Sequence, residues 1–328
     1  MTDGNGRPAR TGIRKGIYIL PNLFTTASLF AGFYGIISSL KGHALANQLE
    51  HLRQLGMGEE LLAQVGGGPE AVSQYFVVAA WAIMVSGVLD AMDGSVARLT
   101  NTLSDFGSEY DSLADLVSFG VAPAILMYSW ALEPFGRWGW LACFLYVACA
   151  ALRLARFNVQ SGDVEKKSFQ GIPSPGAAGT IAVTVLFYLY MSDFVTDDVA
   201  RVTTMLKRNV LEFPHWGFML LTFSAAILMV SNVRYRSTKN LDPLKRAPFI
   251  SLLAVVGFII LVAAEPQLTL FFFGIAYFLS GPFEWLLFRR SRGTGEESVS
   301  AELYAEDVAA EEAEQKEQQE LQTHGDER

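Results

Sequence analysis

Four aspartates are the residues in this sequence whose type and spacing point most directly to chemistry. Asp90 and Asp93 lie three positions apart, and Asp111 and Asp115 lie four apart. Because residues three or four apart are neighbours on one helix face, each pair would present two carboxylates side by side. Only a short segment separates the two pairs, so their helices should be antiparallel neighbours and the four carboxylates can converge.

Carboxylates crowded in this way at the ends of apolar helices are costly without a ligand. Each charge inside a membrane costs about 2.5–3.5 kcal/mol on insertion scales, and like charges repel. A single acid in the first turn of a helix, as Asp111 would be, is favourable without any ligand. Four aspartates at helical spacing are not explained by this effect. Oxygen-only ligands suit Mg²⁺ or Mn²⁺, so we predict that these aspartates hold two such ions.

The residues that share helix faces with the aspartates are small or cationic. Gly94 and Ala97 follow Asp90 along its helix, and Gly107 precedes Asp111. Their small side chains would let a bulky ligand approach the backbone and the metal closely. Arg98 would supply a fixed cation for phosphate oxygens.

The elements that carry these residues are apolar segments long enough to cross a bilayer. Of the 328 residues, 51% are hydrophobic and 12% aromatic, and the apolar ones form blocks of about the length that a spanning helix needs. The pattern predicts an all-α, polytopic transmembrane bundle of about eight spans. No early segment resembles a cleaved signal peptide, so the first block should remain as a helix. The predicted spans are 17–40, 73–94, 111–132, 138–157, 174–191, 216–232, 248–263 and 268–288.

Loop charge predicts the orientation of these spans. Basic residues are concentrated in the N-terminal segment and in the loops that follow the second, fourth, sixth and eighth spans. Short loops rich in Lys and Arg stay in the cytoplasm. We therefore expect both termini and the aspartates on the cytoplasmic side of the inner membrane.

Charge also separates a C-terminal tail from the rest of the chain. Residues 294–328 carry twelve acidic side chains against Lys316 and Arg328, so the tail holds −10 while the whole chain has a net charge of −8. It has no continuous apolar stripe, which favours a disordered tail. The predicted organisation is a cytoplasmic segment 1–16, a transmembrane catalytic domain 17–290 and a tail 291–328.

Neither the glycine run nor the two cysteines of this sequence are predicted to form a functional site. The glycine run 66–68 is followed by Pro69 and Glu70, whereas a phosphate-binding loop would need Lys and Ser or Thr at the start of a helix. Cys143 and Cys149 lie inside an apolar block without histidine partners, so we predict neither a disulfide nor a zinc site.

The aspartate segment resembles the signature of the CDP-alcohol phosphatidyltransferase family. All eight signature positions are filled: Asp90, Asp93, Gly94, Ala97, Arg98, Gly107, Asp111 and Asp115. Two flanking stretches, 20–25 and 151–178, are similar to the membrane-bound phosphatidylserine synthases within that family. The resemblance covers residues 15–290.

This resemblance implies roles for individual residues. Asp90, Asp93 and Asp111 would bind the metal ions, and Asp115 would reach one of them and act as the general base. Six residues would line the CDP site: Gly94, Ala97, Arg98, Gly107, Asn22 and Thr25. The resemblance further implies a homodimer whose cleft opens to the membrane on its cytoplasmic side.

A second set of residues could bind either the carboxylate of the acceptor or the phosphate of the lipid. Arg153 and Arg156 lie three apart, and Asn158 follows them. A guanidinium binds a carboxylate or a phosphate in bidentate fashion, although both arginines could instead be membrane anchors with snorkelled side chains.

The resemblance implies transfer of a phosphatidyl group from CDP-diacylglycerol to L-serine, with release of CMP. Glycerol 3-phosphate, an inositol phosphate and choline remain alternative acceptors, since the arginines would fit a phosphate too. A cation transporter is a remote alternative, because its acids would be distributed along a pathway across the membrane. Membrane lipids are expected partners, and nucleic acids are not.

Overall fold

The chain is an all-α, polytopic integral membrane protein, as the apolar blocks predict. The structure, a computed structural model, describes residues 19–100, 105–160, 169–197, 216–235 and 248–292. Within these ranges six helices are long and apolar enough to cross a membrane, and two more apolar helices, Trp216–Val230 and Leu252–Ala264, are shorter. The predicted segment 1–16 and the predicted tail beyond residue 292 lie outside the described residues.

The described chain contains ten α-helices, one pair of very short strands and three short π or 3-10 turns. The helices are α1 (Ile19–Gln54), α2 (Glu59–Gln64), α3 (Gly68–Thr100), α4 (Asp105–Asp115), α5 (Ala122–Met127), α6 (Arg137–Gln160), α7 (Ser174–Asp197), α8 (Trp216–Val230), α9 (Pro248–Ala264) and α10 (Pro266–Arg292). The strands are β1 (Phe169–Gln170) and β2 (Arg234–Tyr235), which pair antiparallel.

Small residues bring α1 and α3 into close antiparallel contact. The hydroxyls of Ser28 and Ser86 lie 2.8 Å apart in a buried position, and a Cβ added at Gly35 would lie 3.2 Å from the Ala79 carbonyl oxygen. Helices in lipid associate through such close backbone packing and polar contacts, since apolar burial offers little advantage there. This contact fixes the start of α1 beside the end of α3.

The first helix is longer than the predicted span. The apolar block suggested an end near residue 40, but α1 continues to Gln54. The residues beyond the block are largely polar helix formers such as Gln48, Glu50 and Arg53, so the helix can extend into water after the membrane segment has ended.

The third span is a composite helix. A π turn, Leu116–Val121, follows α4 directly, and a second π turn, Tyr128–Leu132, follows α5. A π turn disrupts the regular backbone ladder, and here the fully buried Tyr146 donates to the Phe119 carbonyl at 3.1 Å. Ser118 in the same turn donates to the Ser28 carbonyl at 3.2 Å. The third span is therefore held to its neighbours through this turn, next to Asp115.

The strand pair joins the segment before α7 to the segment after α8. Phe169 pairs with Tyr235, and the Gly171 N–H donates to the Val233 carbonyl at 2.8 Å. Gly171 has φ +79°, and a Cβ there would run into the Met229 carbonyl oxygen, so the position needs glycine. The pairing places the start of α7 next to the end of α8.

By its internal contacts the chain divides into two compact units, Met1–Gly281 and Pro282–Arg328. The division falls at Pro282, which lies inside α10. The predicted domain limits near residues 16 and 290 stay predictions.

Candidate active site

Three of the four aspartates converge at the junction of α3 and α4. Asp90, Asp93 and Asp111 each offer a carboxylate oxygen, and these oxygens all lie within 4.8 Å of one another. Asp93 is buried at 5% exposure, while Asp90 and Asp111 are half-buried. The helical spacing thus does bring the two pairs together.

Asp115 completes the cluster from the last position of α4. Its carboxyl group lies next to that of Asp90, and it interacts electrostatically with Asp90, Asp111 and Asp93. It is not one of the three residues whose oxygens lie within 4.8 Å of one another. Asp115 is therefore beside the trio and in contact with one of its members.

The donor set fits a hard divalent cation. One carboxylate oxygen of Asp111, Oδ1, is buried and has no hydrogen-bond partner among the described residues. An orphaned carboxylate oxygen is expensive unless a cation is near it. Three converging carboxylates with no nitrogen or sulfur donor suit Mg²⁺ or Mn²⁺.

The start of α1 supports this cluster from a third helix. The Thr25 hydroxyl, which is buried, donates to Asp93 Oδ2 at 2.5 Å, and the Gly94 backbone N–H also donates to the Asp93 carboxylate. Thr25, expected from the resemblance to contact the nucleotide, thus has its hydroxyl on a metal-ligand candidate. Asn22 lies one turn earlier, and its carbonyl accepts from Thr26 at 2.7 Å.

The other predicted CDP residues flank the cluster along the chain. Gly107 lies in the first turn of α4 and is half-buried. Ala97 and Arg98 lie on α3 just beyond Gly94, but their side chains fall outside the described part of the structure. Their predicted contacts with a nucleotide stay predictions.

Arg153 faces the aspartates from α6. Its terminal nitrogen donates to Ser174 Oγ at 3.0 Å, at the start of α7, and its charge interacts with the Asp115 carboxylate. Arg153 Nε is buried and has no hydrogen-bond partner among the described residues. A partly buried guanidinium with an unused donor is a ready site for an anion.

The other two residues of the predicted acceptor set have different partners. Arg156 donates to the Asn232 side chain at 3.4 Å, after α8, and Asn158 donates to the Ser112 hydroxyl at 3.1 Å, on α4. Asn158 therefore ties α6 to the helix that carries Asp111 and Asp115. The three residues have hydrogen-bond partners on three different elements, and the charge of Arg153 interacts with Asp115.

Several contacts around the site could not be inferred from the sequence. Tyr110 lies 3.0 Å from the Thr26 hydroxyl, and Ser174 and Asn232 bind the two arginines. Nothing in their local sequence marks them as site residues, because each reaches the site only through helix packing.

An apolar groove opens between two of the helices around the site. It has a volume of about 630 Å³ and lies between α3 and α7, lined by residues that include Met84, Val88, Met92, Pro175 and Gly179. Its lining residues on α3 alternate in sequence with Asp90 and Asp93 and therefore lie largely on another face of that helix. The apolar lining suits hydrocarbon chains.

Comparisons with known proteins agree with this arrangement. The sequence profile of the CDP-alcohol phosphatidyltransferase family matches residues 18–208, which include all four aspartates. The chain is 34% identical over 270 residues to a CDP-diacylglycerol–serine O-phosphatidyltransferase of Helicobacter pylori strain J99, covering 82% of this chain and 92% of the relative. It is 30% identical over 209 residues to the Mycobacterium leprae protein of the same name, covering 61% of this chain and 63% of the relative.

An archaeal relative extends the same pattern. The archaetidylserine synthase of Methanothermobacter thermautotrophicus is 42% identical over 141 residues, covering 42% of this chain and 58% of the relative. With the family profile matching more than half of the chain and the aspartates of its signature gathered in one cluster, the protein belongs to the CDP-alcohol phosphatidyltransferase family.

Proposed function

We propose that the protein transfers the phosphatidyl group of CDP-diacylglycerol to the hydroxyl of L-serine, giving phosphatidylserine and CMP. The observation that carries the proposal is the carboxylate cluster of Asp90, Asp93 and Asp111 with Arg153 near its fourth member, Asp115. Relatives that bear the name of this activity align with most of the chain, which supports serine as the acceptor.

The aspartate trio is the proposed site of two Mg²⁺ or Mn²⁺ ions, with Asp115 reaching one of them. When bound, such ions neutralise the diphosphate and stabilise the charge that develops on the leaving phosphate. Thr25 keeps the Asp93 carboxylate in place by its hydrogen bond. The CDP moiety would lie against the small residues Gly94, Ala97 and Gly107, with Arg98, Asn22 and Thr25 around it.

Asp115 is the proposed general base. Its carboxylate would take the proton from the serine hydroxyl as the serine oxygen attacks the phosphorus of the diacylglycerol-linked phosphate. The bond from that phosphorus to the CMP oxygen breaks, and CMP leaves with the electron pair. A base is needed because an unactivated hydroxyl is a poor nucleophile near neutral pH.

Arg153 is the best-supported acceptor residue of the three predicted from sequence. Its unused Nε donor and its electrostatic interaction with Asp115 would hold a serine carboxylate within reach of the base. Asn158 and Arg156 would act beside it, Asn158 by fixing α4 through Ser112.

The groove between α3 and α7 is the proposed position of the donor's acyl chains. Its lining is apolar, and it runs along α3, the helix that also carries Asp90 and Asp93, so a lipid could leave its tails in the bilayer while its diphosphate meets the metal ions. CMP and serine would then exchange with water at the cytoplasmic side of the inner membrane. A homodimer, with both termini in the cytoplasm, completes the proposed arrangement.

A single assay tests the acceptor. Purified protein with CDP-diacylglycerol and Mn²⁺ is offered serine, glycerol 3-phosphate, an inositol phosphate and choline in parallel, while CMP release and the lipid product are followed. Serine-dependent CMP release with phosphatidylserine as product is the expected result. Serine-independent release, or faster transfer to another alcohol, would show that the acceptor assignment is wrong.

A further inference from the structure

The last spanning helix places an aromatic hydroxyl beside the site at a position outside the family profile. Tyr277 lies in α10, well beyond residue 208, where the profile match ends. Its side chain is partly buried against the core, and it interacts electrostatically with Arg153. Arg153, which lies on α6, thus interacts with residues of α7 and α10.

The packing of Tyr277 leaves little freedom for its ring. A Cβ added at Gly176 would lie 2.9 Å from Tyr277 Cε1, so the ring occupies the space that this glycine leaves open. On its other side the ring centroid lies 5.6 Å from that of Tyr235. Tyr277 is therefore held between the start of α7 and the end of β2.

Tyr235 in turn fixes the position of α10 along its own axis. Its hydroxyl donates to the Phe278 carbonyl at 3.0 Å, and the side chain is 2% exposed. Burial, and secondarily the neighbouring Tyr277, raise the pKa of the Tyr235 phenol above its ordinary value, so this hydroxyl remains a donor. Tyr277 directly precedes Phe278, so this hydrogen bond also restricts the position of the Tyr277 hydroxyl.

Two donors, one of Arg153 and one of Tyr277, have no hydrogen-bond partner among the residues that the structure describes. Arg153 Nε has no partner among the described residues, and the Tyr277 hydroxyl makes no hydrogen bond to another described residue. Two neighbouring donors, one cationic and one neutral, match the two oxygens of a carboxylate.

We infer that Tyr277 is a specificity-determining residue of the acceptor site, where its hydroxyl and Arg153 together bind the carboxylate of an amino-acid acceptor. The inference rests on the proposed function, because it takes serine as the acceptor. It adds that recognition of the carboxylate depends on α10, a helix outside the segment that the family profile matches.

Tyr277→Phe tests this directly, because it removes the hydroxyl and keeps the ring between Gly176 and Tyr235. A hydrogen bond to a charged group is worth about tenfold or more in affinity, so KM for serine should rise at least about tenfold while KM for CDP-diacylglycerol stays within about twofold. L-serinamide has an uncharged amide group in place of the carboxylate. The preference for serine over L-serinamide should fall by a similar factor. Loss of a merely structural contact would not change that preference.

Tyr190→Phe is the matched control. Tyr190 also bears a hydroxyl between α7 and the start of α10, donating to Glu265 at 2.7 Å, but it lies at the other end of these helices. It should leave the serine to serinamide preference unchanged. As a second variant, Gly176→Ala adds the methyl group that displaces the Tyr277 ring, and it should raise KM for serine in the same sense.

The outcomes separate the two claims. If the unmodified protein does not transfer to serine, the proposed function is wrong and this inference is wrong with it. If it does, and Tyr277→Phe keeps the same KM for serine and the same preference over serinamide, this inference alone is overturned.

Discussion

At the scale of single residues, the four aspartates divide into a ligand group and one neighbour. One carboxylate oxygen from each of Asp90, Asp93 and Asp111 lies within 4.8 Å of the other two, whereas Asp115 lies next to Asp90. Arg153 interacts with Asp115, so a bound acceptor would lie closer to Asp115 than to the trio. This asymmetry is what favours Asp115 as the base.

Asp115→Asn should therefore abolish turnover while nucleotide binding survives. A general base contributes about 10²- to 10⁴-fold, so kcat should fall by at least about a hundredfold, with CDP affinity within a few fold of the unmodified protein. CMP release and CDP binding by calorimetry measure the two effects. Asp90→Asn is the comparison, because it should instead weaken metal-dependent nucleotide binding; normal turnover in Asp115→Asn would exclude this residue as the base.

Thr25 offers a second prediction, because its hydroxyl donates to a ligand candidate rather than to the solvent. Thr25→Val keeps the shape and removes the hydrogen bond to Asp93. Partners of metal ligands typically contribute about 10- to 100-fold in metal affinity or activity, so the Mn²⁺ concentration for half-maximal activity should rise at least about tenfold.

Thr222→Val is the control for this change. Thr222 is also buried, but its hydroxyl donates to the Phe218 carbonyl within α8. Its Mn²⁺ requirement should match that of the unmodified protein. An unchanged Mn²⁺ requirement in Thr25→Val would mean that the hydrogen bond does not support the metal site.

The sequence predicts the convergence of the aspartates because helical spacing is local, and two adjacent helices suffice to bring them together. It does not reveal that Thr25 contacts Asp93, since that contact depends on how closely α1 approaches α3. Nor does it mark Tyr277, which reaches Arg153 only because α10 packs beside α7. Residues contributed by distant elements carry no local signal of their role.

At the scale of elements, close approach between helices is what holds the site in position. Gly32 on α1 faces the π turn after α4, and a Cβ there would lie 2.5 Å from Ser118 Oγ and 2.7 Å from its Cα. Ser118 also donates to the Ser28 carbonyl of α1. The helix that supplies Thr25 and the helix that supplies Asp115 are thus in direct contact.

Gly32→Ala should force α1 away from this turn. Overpacking costs about 1–3 kcal/mol, so we expect a lower Tm of the purified protein and reduced transferase activity, measured on the same preparation. Gly257→Ala in α9 is the control, because no described atom lies within 4 Å of a Cβ added there; alanine is the better helix former, so its Tm should not fall. Equal Tm values for the two variants would contradict the proposed contact.

The elements themselves are largely predictable from sequence. The eight apolar blocks correspond to the eight apolar helical segments, because the bilayer demands long runs without charge. The π turns after Asp115 and the continuation of α1 to Gln54 were not predicted. The π turn that follows Asp115 depends on packing against Tyr146 and Ser28. The continuation of α1 depends on polar residues, for which hydropathy gives no helix signal.

At the scale of the whole molecule, the orientation of the spans decides which side of the membrane carries the site. Loop charge predicts the cytoplasmic side, through the positive-inside rule. The structure gives this prediction fixed reference points. Thr25, near the start of α1, lies against Asp93. The helix has 36 residues, at about 1.5 Å per residue. The other end of α1, at Gln54, should therefore lie across the membrane from the site.

Labelling of introduced cysteines tests this sidedness. Gln54 and Ser108 are both exposed, and the native Cys143 and Cys149 are 8% and 7% exposed, so they should give little background. In intact cells with the protein in the cytoplasmic membrane, a membrane-impermeant maleimide should label Gln54→Cys and should label Ser108→Cys only after permeabilisation. The reverse pattern would place the aspartates outside the cell, where neither the CDP-activated lipid nor the acceptor is made, and would contradict the proposed function as well as the orientation.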